Sequence, residues 1–163
     1  VAASRPKAQA PAPLAGTKTP WTTPVYGEAL FHGPAFQVIQ GAPVLSNDGI
    51  EGDLASVAAM GWPGSFVTDP AVLDGALQLG ITFCKGVTGG TSLPTGVSRV
   101  RWLADAPLDG VVRCIVRSRV LSRDHTSSDI AILRGDVVVA EMTGMDLHVL
   151  PGTHETPRAP LAP

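Results

Sequence analysis

Asp74 and Gln78 are the residues of this chain whose types and spacing point most directly to chemistry. They stand four apart, and on a helix residues four apart are neighbours on one surface. A carboxyl group beside a carboxamide, next to an apolar wall, is a candidate acid–base pair. Thr82 and Lys85 continue the same stripe, and Leu73, Ala76, Leu77, Gly80, Ile81 and Cys84 form the apolar face beside it. A wetted helix face has the same pattern, because charged residues are rarely buried without a partner. The spacing alone leaves both readings open.

Other chemical patterns are weaker. Gly86-Val87-Thr88-Gly89-Gly90 lacks the spacing and the Lys of a phosphate loop. Gly64-Ser65-Phe66 is preceded by Pro63 where a nucleophile elbow needs glycine. His32, His125, His148 and His154 do not cluster with carboxylates at metal-ligand spacing, so no metal is expected. Asp124-His125 reads as a solvated turn and His148 as the edge of the last strand. Arg113, Arg117 and Arg119 alternate along one strand, which fits either an acidic partner or a solvent-facing side. Cys84 and Cys114 lack CxxC spacing and read as reduced core thiols.

The 163 residues suffice for one domain, and only 16% are charged against 44% hydrophobic. A net charge of -2 gives no sign of nucleic-acid or membrane partners. No apolar run is long enough to span a bilayer and no signal peptide opens the chain, so a cytoplasmic location is expected. The first residue is Val, which reads as a piece of a longer polypeptide. Eight of the fifteen prolines fall within 1–20 and 151–163, segments with few large apolar side chains. Both are expected to be Pro-stiffened linkers flanking one folded domain over 21–150.

The elements that must position the pair follow in order. Tyr26 to Phe31 reads as a turn or short helix and Ala35 to Pro43 as a strand. Ser46-Asn47-Asp48-Gly49 signals a hairpin, with Asp-Gly suited to positive φ, and Ile50 to Ala59 pairs back. The helix spans Thr68 to Lys85, with Asp69 as N-cap and Pro70 at its first position. Strands follow over Val97–Leu103, Val111–Ser122, Asp129–Leu133 and Val137–Leu150, with turns at Arg123–Ser128 and Gly135-Asp136. One helix and about six strands, mostly joined by hairpins, predict an α+β domain. An antiparallel sheet wrapped around a single central helix is the hotdog fold.

Three segments carry a resemblance. Leu30-Phe31-His32-Gly33-Pro34-Ala35-Phe36-Gln37, then Asp69-Pro70-Ala71-Val72-Leu73-Asp74-Gly75-Ala76-Leu77-Gln78, then Leu93-Pro94, resemble the second half of polyketide-synthase dehydratase domains. That half carries, in this order, a YGPxF-type motif, a DxxxQ or DxxxH helix and an LPFxW-type segment. The Phe-His-Gly-Pro form is most similar to dehydratase-like regions of iterative polyunsaturated fatty acid and enediyne synthases. The resemblance covers roughly residues 25–150.

It implies half of a double hotdog that removes water from 3-hydroxyacyl groups carried on the phosphopantetheine of acyl carrier protein, with no other cofactor. Asp74 would be the carboxylic acid that protonates the leaving hydroxyl, and Gln78 the residue that holds it. Gly33, Pro34, Phe36, Leu93 and Pro94 would line the substrate. The implied partners are acyl carrier protein, neighbouring synthase domains, and a second copy or another hotdog.

The chain departs from this pattern. The family's base is a His in an HxxxGxxxxP motif, which is absent here. With the frame's Pro on Pro70, its His position is Gly61 and its Gly position is Ser65. His32 replaces the usual Tyr before Gly-Pro, and Thr95 and Val97 replace the Phe and Trp of LPFxW. The catalytic base then has to come from His32 or from another chain or domain. The alternative is a catalytically silent hotdog that binds acyl chains or carrier protein.

Overall fold

In the computed structural model, which describes residues 8–105 and 107–157, the central helix forms where the periodicity predicts it. This helix, α2, spans Pro70–Thr88. Pro70 sits at its first position, and the Asp69 carboxylate accepts a hydrogen bond from the Val72 N–H at 3.0 Å. The same carboxylate takes the Val57 N–H with both oxygens, at 3.1 Å each. Asp69 is fully buried, so this cap ties two segments together rather than only starting a helix. Val57 opens a one-turn helix, α1, over Val57–Met60. Val57 to Ala59 fall within the second strand expected from sequence, which stops at Ala55 because the Ser56 side chain caps α1.

The strands are β1 (Thr19–Pro20), β2 (Ile39–Ser46), β3 (Gly49–Ala55), β4 (Ser92–Trp102), β5 (Val111–Ser122), β6 (His125–Arg134) and β7 (Val137–Val149). They form one antiparallel sheet in the order β1-β2-β3-β5-β6-β7-β4. The α+β hotdog architecture is therefore present: α2 lies on one face of the sheet. Ile50, Leu54, Val112, Cys114, Val116, Ile132, Met145 and Leu147 pack in one cluster with Val72, Ala76, Leu79 and Phe83 of the helix. Small residues let the helix approach closely. A Cβ on Gly75 would lie 2.8 Å from both Leu54 and Val38, and one on Gly80 would lie 2.3 Å from the Met145 methyl.

Local details differ from the sequence reading for identifiable reasons. Pro34–Phe36 form a 3-10 turn, so β2 starts at Ile39 rather than at Ala35. The hairpin at Asn47-Asp48 is present, but Gly49 is not there for positive φ. A Cβ at Gly49 would sit 2.0 Å from the Val116 carbonyl oxygen, so glycine is required by a close backbone approach. The β5–β6 turn is shorter than expected, since β6 already begins at His125.

β4 begins at Ser92 and pairs only with β7, at the sheet edge. Val97 and Val100, three apart and so on opposite faces of the strand, are both exposed. β4 is an edge strand, and only its ends reach the core: Ser92 is buried and Trp102 packs against the main cluster.

The residues flanking 21–150 make defined contacts. Leu14 is buried on the far side of the sheet against Ile115, Ala131, Leu133 and Val138. Thr19 and Pro20 pair with Leu45 and Val44 of β2. At the other end, the Thr153 hydroxyl accepts the Thr91 N–H at 3.0 Å, and the Glu155 N–H donates to the Gly89 carbonyl at 2.9 Å. Among the described residues, no helix is long and apolar enough to cross a membrane.

Candidate active site

Burial decides between the two readings of the helix stripe. Gln78 and Thr82 are fully buried and Lys85 is nearly so, while Asp74 is half-buried. A wetted face is excluded: α2 is enclosed on every side from Gln78 to Thr88. Each polar member of the stripe has a partner, as burial demands. Thr82 donates to the Gln78 carbonyl at 2.9 Å. The Lys85 ammonium donates to the Gly89 carbonyl at 3.1 Å and to the Glu155 carboxylate at 2.9 Å.

The Asp74–Gln78 pair is formed. Gln78 Nε2 donates to Asp74 Oδ2 at 2.7 Å and to the Phe36 carbonyl at 2.8 Å. Its other end, Oε1, accepts from the Tyr26 hydroxyl at 2.7 Å. The Tyr26 oxygen in turn accepts the Ile39 N–H at 2.8 Å. Four segments thus meet at one carboxamide: the turn at Tyr26, the 3-10 turn at Phe36, the first residue of β2, and α2. Burial pushes the Tyr26 hydroxyl up to about 12, opposed by the Ile39 N–H and reinforced by the negative charge of Asp74. Tyr26 is the chain's single tyrosine. Sequence reading placed it in a turn and gave it no role. The signal available was its type, since a tyrosine that packs inward usually finds a hydrogen-bond partner.

The remaining predicted site residues are placed unequally. Gly33, Pro34 and Phe36 lie in the turn that presents the Phe36 carbonyl to Gln78. Phe36 is 48% exposed and packs edge-to-face on Trp62 at 5.0 Å. Trp62 Nε1 donates to the Ala35 carbonyl at 2.9 Å. Phe31, next to this turn in the chain, is 75% exposed.

His32 stacks on Phe31 at 4.8 Å, its carbonyl accepts from Gln37 Nε2, and its Nδ1 is buried without a hydrogen-bond partner. No hydrogen bond joins His32 to Asp74 among the described residues. Leu93 and Pro94 pair with His148 and Leu147 where β4 starts, just beyond the C-terminal end of α2. Hydrogen bonds gather Asp74, Gln78 and Phe36, with Tyr26 added, and among the described residues none joins Leu93 or Pro94 to them.

The arginine-bearing strand face is neither wholly solvated nor vacant. A groove of about 430 Å³ opens there, on the side of the sheet away from α2, lined in part by Arg99, Arg101, Arg117 and Ile115. Arg101 pairs with Glu141 at 2.9 Å, and Arg117 with Asp48 and the carbonyls of Ala12 and Pro13. His125, expected in a solvated turn, stacks on His148 at 4.1 Å and contacts Asp146 at 3.2 Å. Hydrogen bonds from Ser127 and then His125 hold the Asp146 carboxyl below its usual range. Both cysteines are free and buried, and burial pushes the Cys114 thiol up. No group of three or more His, Cys, Asp or Glu among the described residues is arranged to hold a metal.

Comparison with known proteins now bears on this geometry. The family model described as polyketide synthase dehydratase N-terminal domain matches residues 1–157. The chain belongs to the polyketide synthase dehydratase family. Solved structures share the fold. The bifunctional dehydratase-cyclase domain in ambruticin biosynthesis superposes with a TM-score of 0.64 at 24% identity, over 89% of this chain and 54% of that one. The dehydratase domain from the CurH module of curacin polyketide synthase gives 0.63 at 16% identity, over 88% and 55%. The dehydratase heterocomplex ApeI:P from Xenorhabdus doucetiae gives 0.60 at 13% identity, over 82% and 95%. The chain spans about half the length of the polyketide synthase dehydratase domains it matches. No curated protein matches the sequence.

Proposed function

We propose that this dehydratase-family chain is the aspartate-bearing hotdog of a multidomain polyketide or polyunsaturated fatty acid synthase, and that it removes water from 3-hydroxyacyl thioesters of acyl carrier protein. The observation that carries the reading is the Asp74–Gln78 hydrogen bond on a buried helix. In the reaction a base takes the α-proton of the thioester. The Cα–Cβ double bond forms as the Cβ–O bond breaks, and Asp74 in its acid form gives its proton to the departing hydroxyl, which leaves as water. The substrate arrives on phosphopantetheine, so the chemistry asks for no further cofactor.

The matched family model is that of an N-terminal domain, whereas the Asp-x-x-x-Gln helix and the Phe-His-Gly-Pro turn resemble those of a second half. On this proposal the chain is that second half, of the kind found in iterative polyunsaturated fatty acid and enediyne synthases. The base then comes from His32, whose Nδ1 has no partner, or from a hotdog paired alongside. The exposed β4 edge, with Leu93, Val97 and Val100 uncovered, is the place for such pairing.

A second reading is favoured by one observation: Gly61 and Ser65 stand where the family's His and Gly are expected. A general base contributes about 10²–10⁴-fold, so a hotdog without one would bind acyl chains or carrier protein and do no chemistry. The deciding experiment supplies 3-hydroxyacyl-carrier-protein thioester to the parent and to Asp74→Asn. Water loss by the parent and none by the variant is expected. Equal rates would remove Asp74 from the chemistry, and binding without turnover in the parent would select the second reading.

A further inference from the structure

We infer that Tyr26 is a positioning residue that fixes the carboxamide of Gln78 in one orientation, and thereby assigns Oδ1 of Asp74 as the oxygen that carries the transferred proton. The inference rests on the dehydratase reading above.

Two independent constraints set the amide. The Ile39 N–H can only donate, so its 2.8 Å contact makes the Tyr26 oxygen an acceptor and leaves the single hydroxyl proton free for Gln78. The Gln78 oxygen, 2.7 Å away, takes that proton, the arrangement that leaves the buried hydroxyl satisfied. At the other end the Phe36 carbonyl can only accept, so the atom 2.8 Å from it must be the nitrogen. Both ends demand the same orientation. The amide consequently has one hydrogen for Phe36 and one for Asp74, and nothing left over. Burial keeps the Tyr26 hydroxyl protonated, so the arrangement does not reverse in the ordinary working range.

The consequence falls on the carboxyl group. Asp74 Oδ2 receives the Gln78 N–H at 2.7 Å. In a carboxylic acid the carbonyl oxygen is the better acceptor, so the acid proton resides on Oδ1. When Oδ1 gives that proton to the leaving hydroxyl, a carboxylate remains, and the N–H bond to Oδ2 becomes charge-assisted and shorter. The amide therefore stabilises the product side of the proton transfer more than the starting acid. Turned over, the amide would present Oε1 to the new carboxylate and oppose the same step. Tyr26 and the Phe36 carbonyl together prevent the turn, Tyr26 by holding Oε1 at the far end.

The test compares the parent chain with Tyr26→Phe, which keeps the ring and removes the hydroxyl. At neutral pH the two side-chain amide protons of Gln78 are read by nuclear magnetic resonance on isotope-labelled protein, and kcat and KM are measured on 3-hydroxyacyl-carrier-protein thioester. The parent should show two slowly exchanging amide protons. The variant should show them shifted and exchanging faster, with kcat lowered about tenfold to hundredfold, the range of one hydrogen bond to a charged group, and KM little changed. Unchanged amide signals together with parental kcat would overturn the inference.

If neither protein releases water but the amide signals still respond, the orienting role stands and the dehydratase reading falls. Should Tyr26→Phe not fold, the parent decides alone. A slowly exchanging Tyr26 hydroxyl proton in close contact with the Ile39 amide proton is expected, and rapid exchange of the Gln78 amide protons there would overturn the assignment.

Discussion

Because Tyr26 is the single tyrosine of the chain, its ionisation can be followed directly by tyrosinate absorbance in the near ultraviolet. The perturbation is a rise in pH. In the unfolded chain the phenol ionises near its ordinary value of 10.0, and in the folded chain at about 12. Burial is the main cause. The Ile39 N–H works against it and the Asp74 charge works with it. The sign follows from proton uptake: between these values the unfolded state has lost the proton and the folded state has kept it. Stability is thus fully present below about pH 10 and drains away as the pH rises towards about 12. Two units correspond to about 3 kcal/mol lost over that window, an upper figure because the ring is not wholly enclosed.

The assay is a pH jump with rapid mixing, which reads the absorbance before alkaline unfolding sets in. A slow rise that tracks unfolding, with no fast phase until about pH 12, is expected. Asp74→Asn should bring the midpoint down only part of the way, since burial dominates. A fast phase centred near 10 in the folded parent would show that the hydroxyl is open to water, and the four-segment junction at Gln78 would be refuted.

Two further outcomes concern the periphery. Burial alone would raise the Glu51 carboxyl, but Lys18 and Arg113 outweigh it and hold the carboxyl below 4.5. Its stabilising effect is therefore present above that value and lost as pH falls through the lowered one. Urea midpoints of Glu51→Gln should lie below the parent near neutrality and converge with it in acid, and a gap that persists in acid would contradict this.

At the other end, Glu155→Ala strips the Lys85 ammonium of its carboxylate partner and leaves it the Gly89 carbonyl. Breaking a buried pair costs about 3–5 kcal/mol. Glu155 is 73% exposed, so a loss of about 1–2 kcal/mol in urea unfolding is expected. No loss would mean that residues 153–155 merely rest on the helix end.

Local chemistry was enough to read several features from the sequence. Asp69 and Pro70 start α2 because capping and a preset φ act within one turn. Asp74 meets Gln78 because the helical repeat makes neighbours of residues four apart. The hairpin at Asn47-Asp48 and the turn at Gly135 appear where turn-forming residues interrupt apolar runs. What lies opposite those residues is not local.

Tyr26 reaches Gln78 across 52 positions, and Phe36 across 42, so only the folded chain brings them to one amide. The stripe from Gln78 to Lys85 looks like a wetted face by type. It is enclosed because residues distant in sequence, Tyr26 and Glu155 among them, come to supply partners for its polar groups. Side-chain pattern is set by the repeat of the backbone, whereas burial and hydrogen-bond direction are set by whatever surface the rest of the chain lays against it.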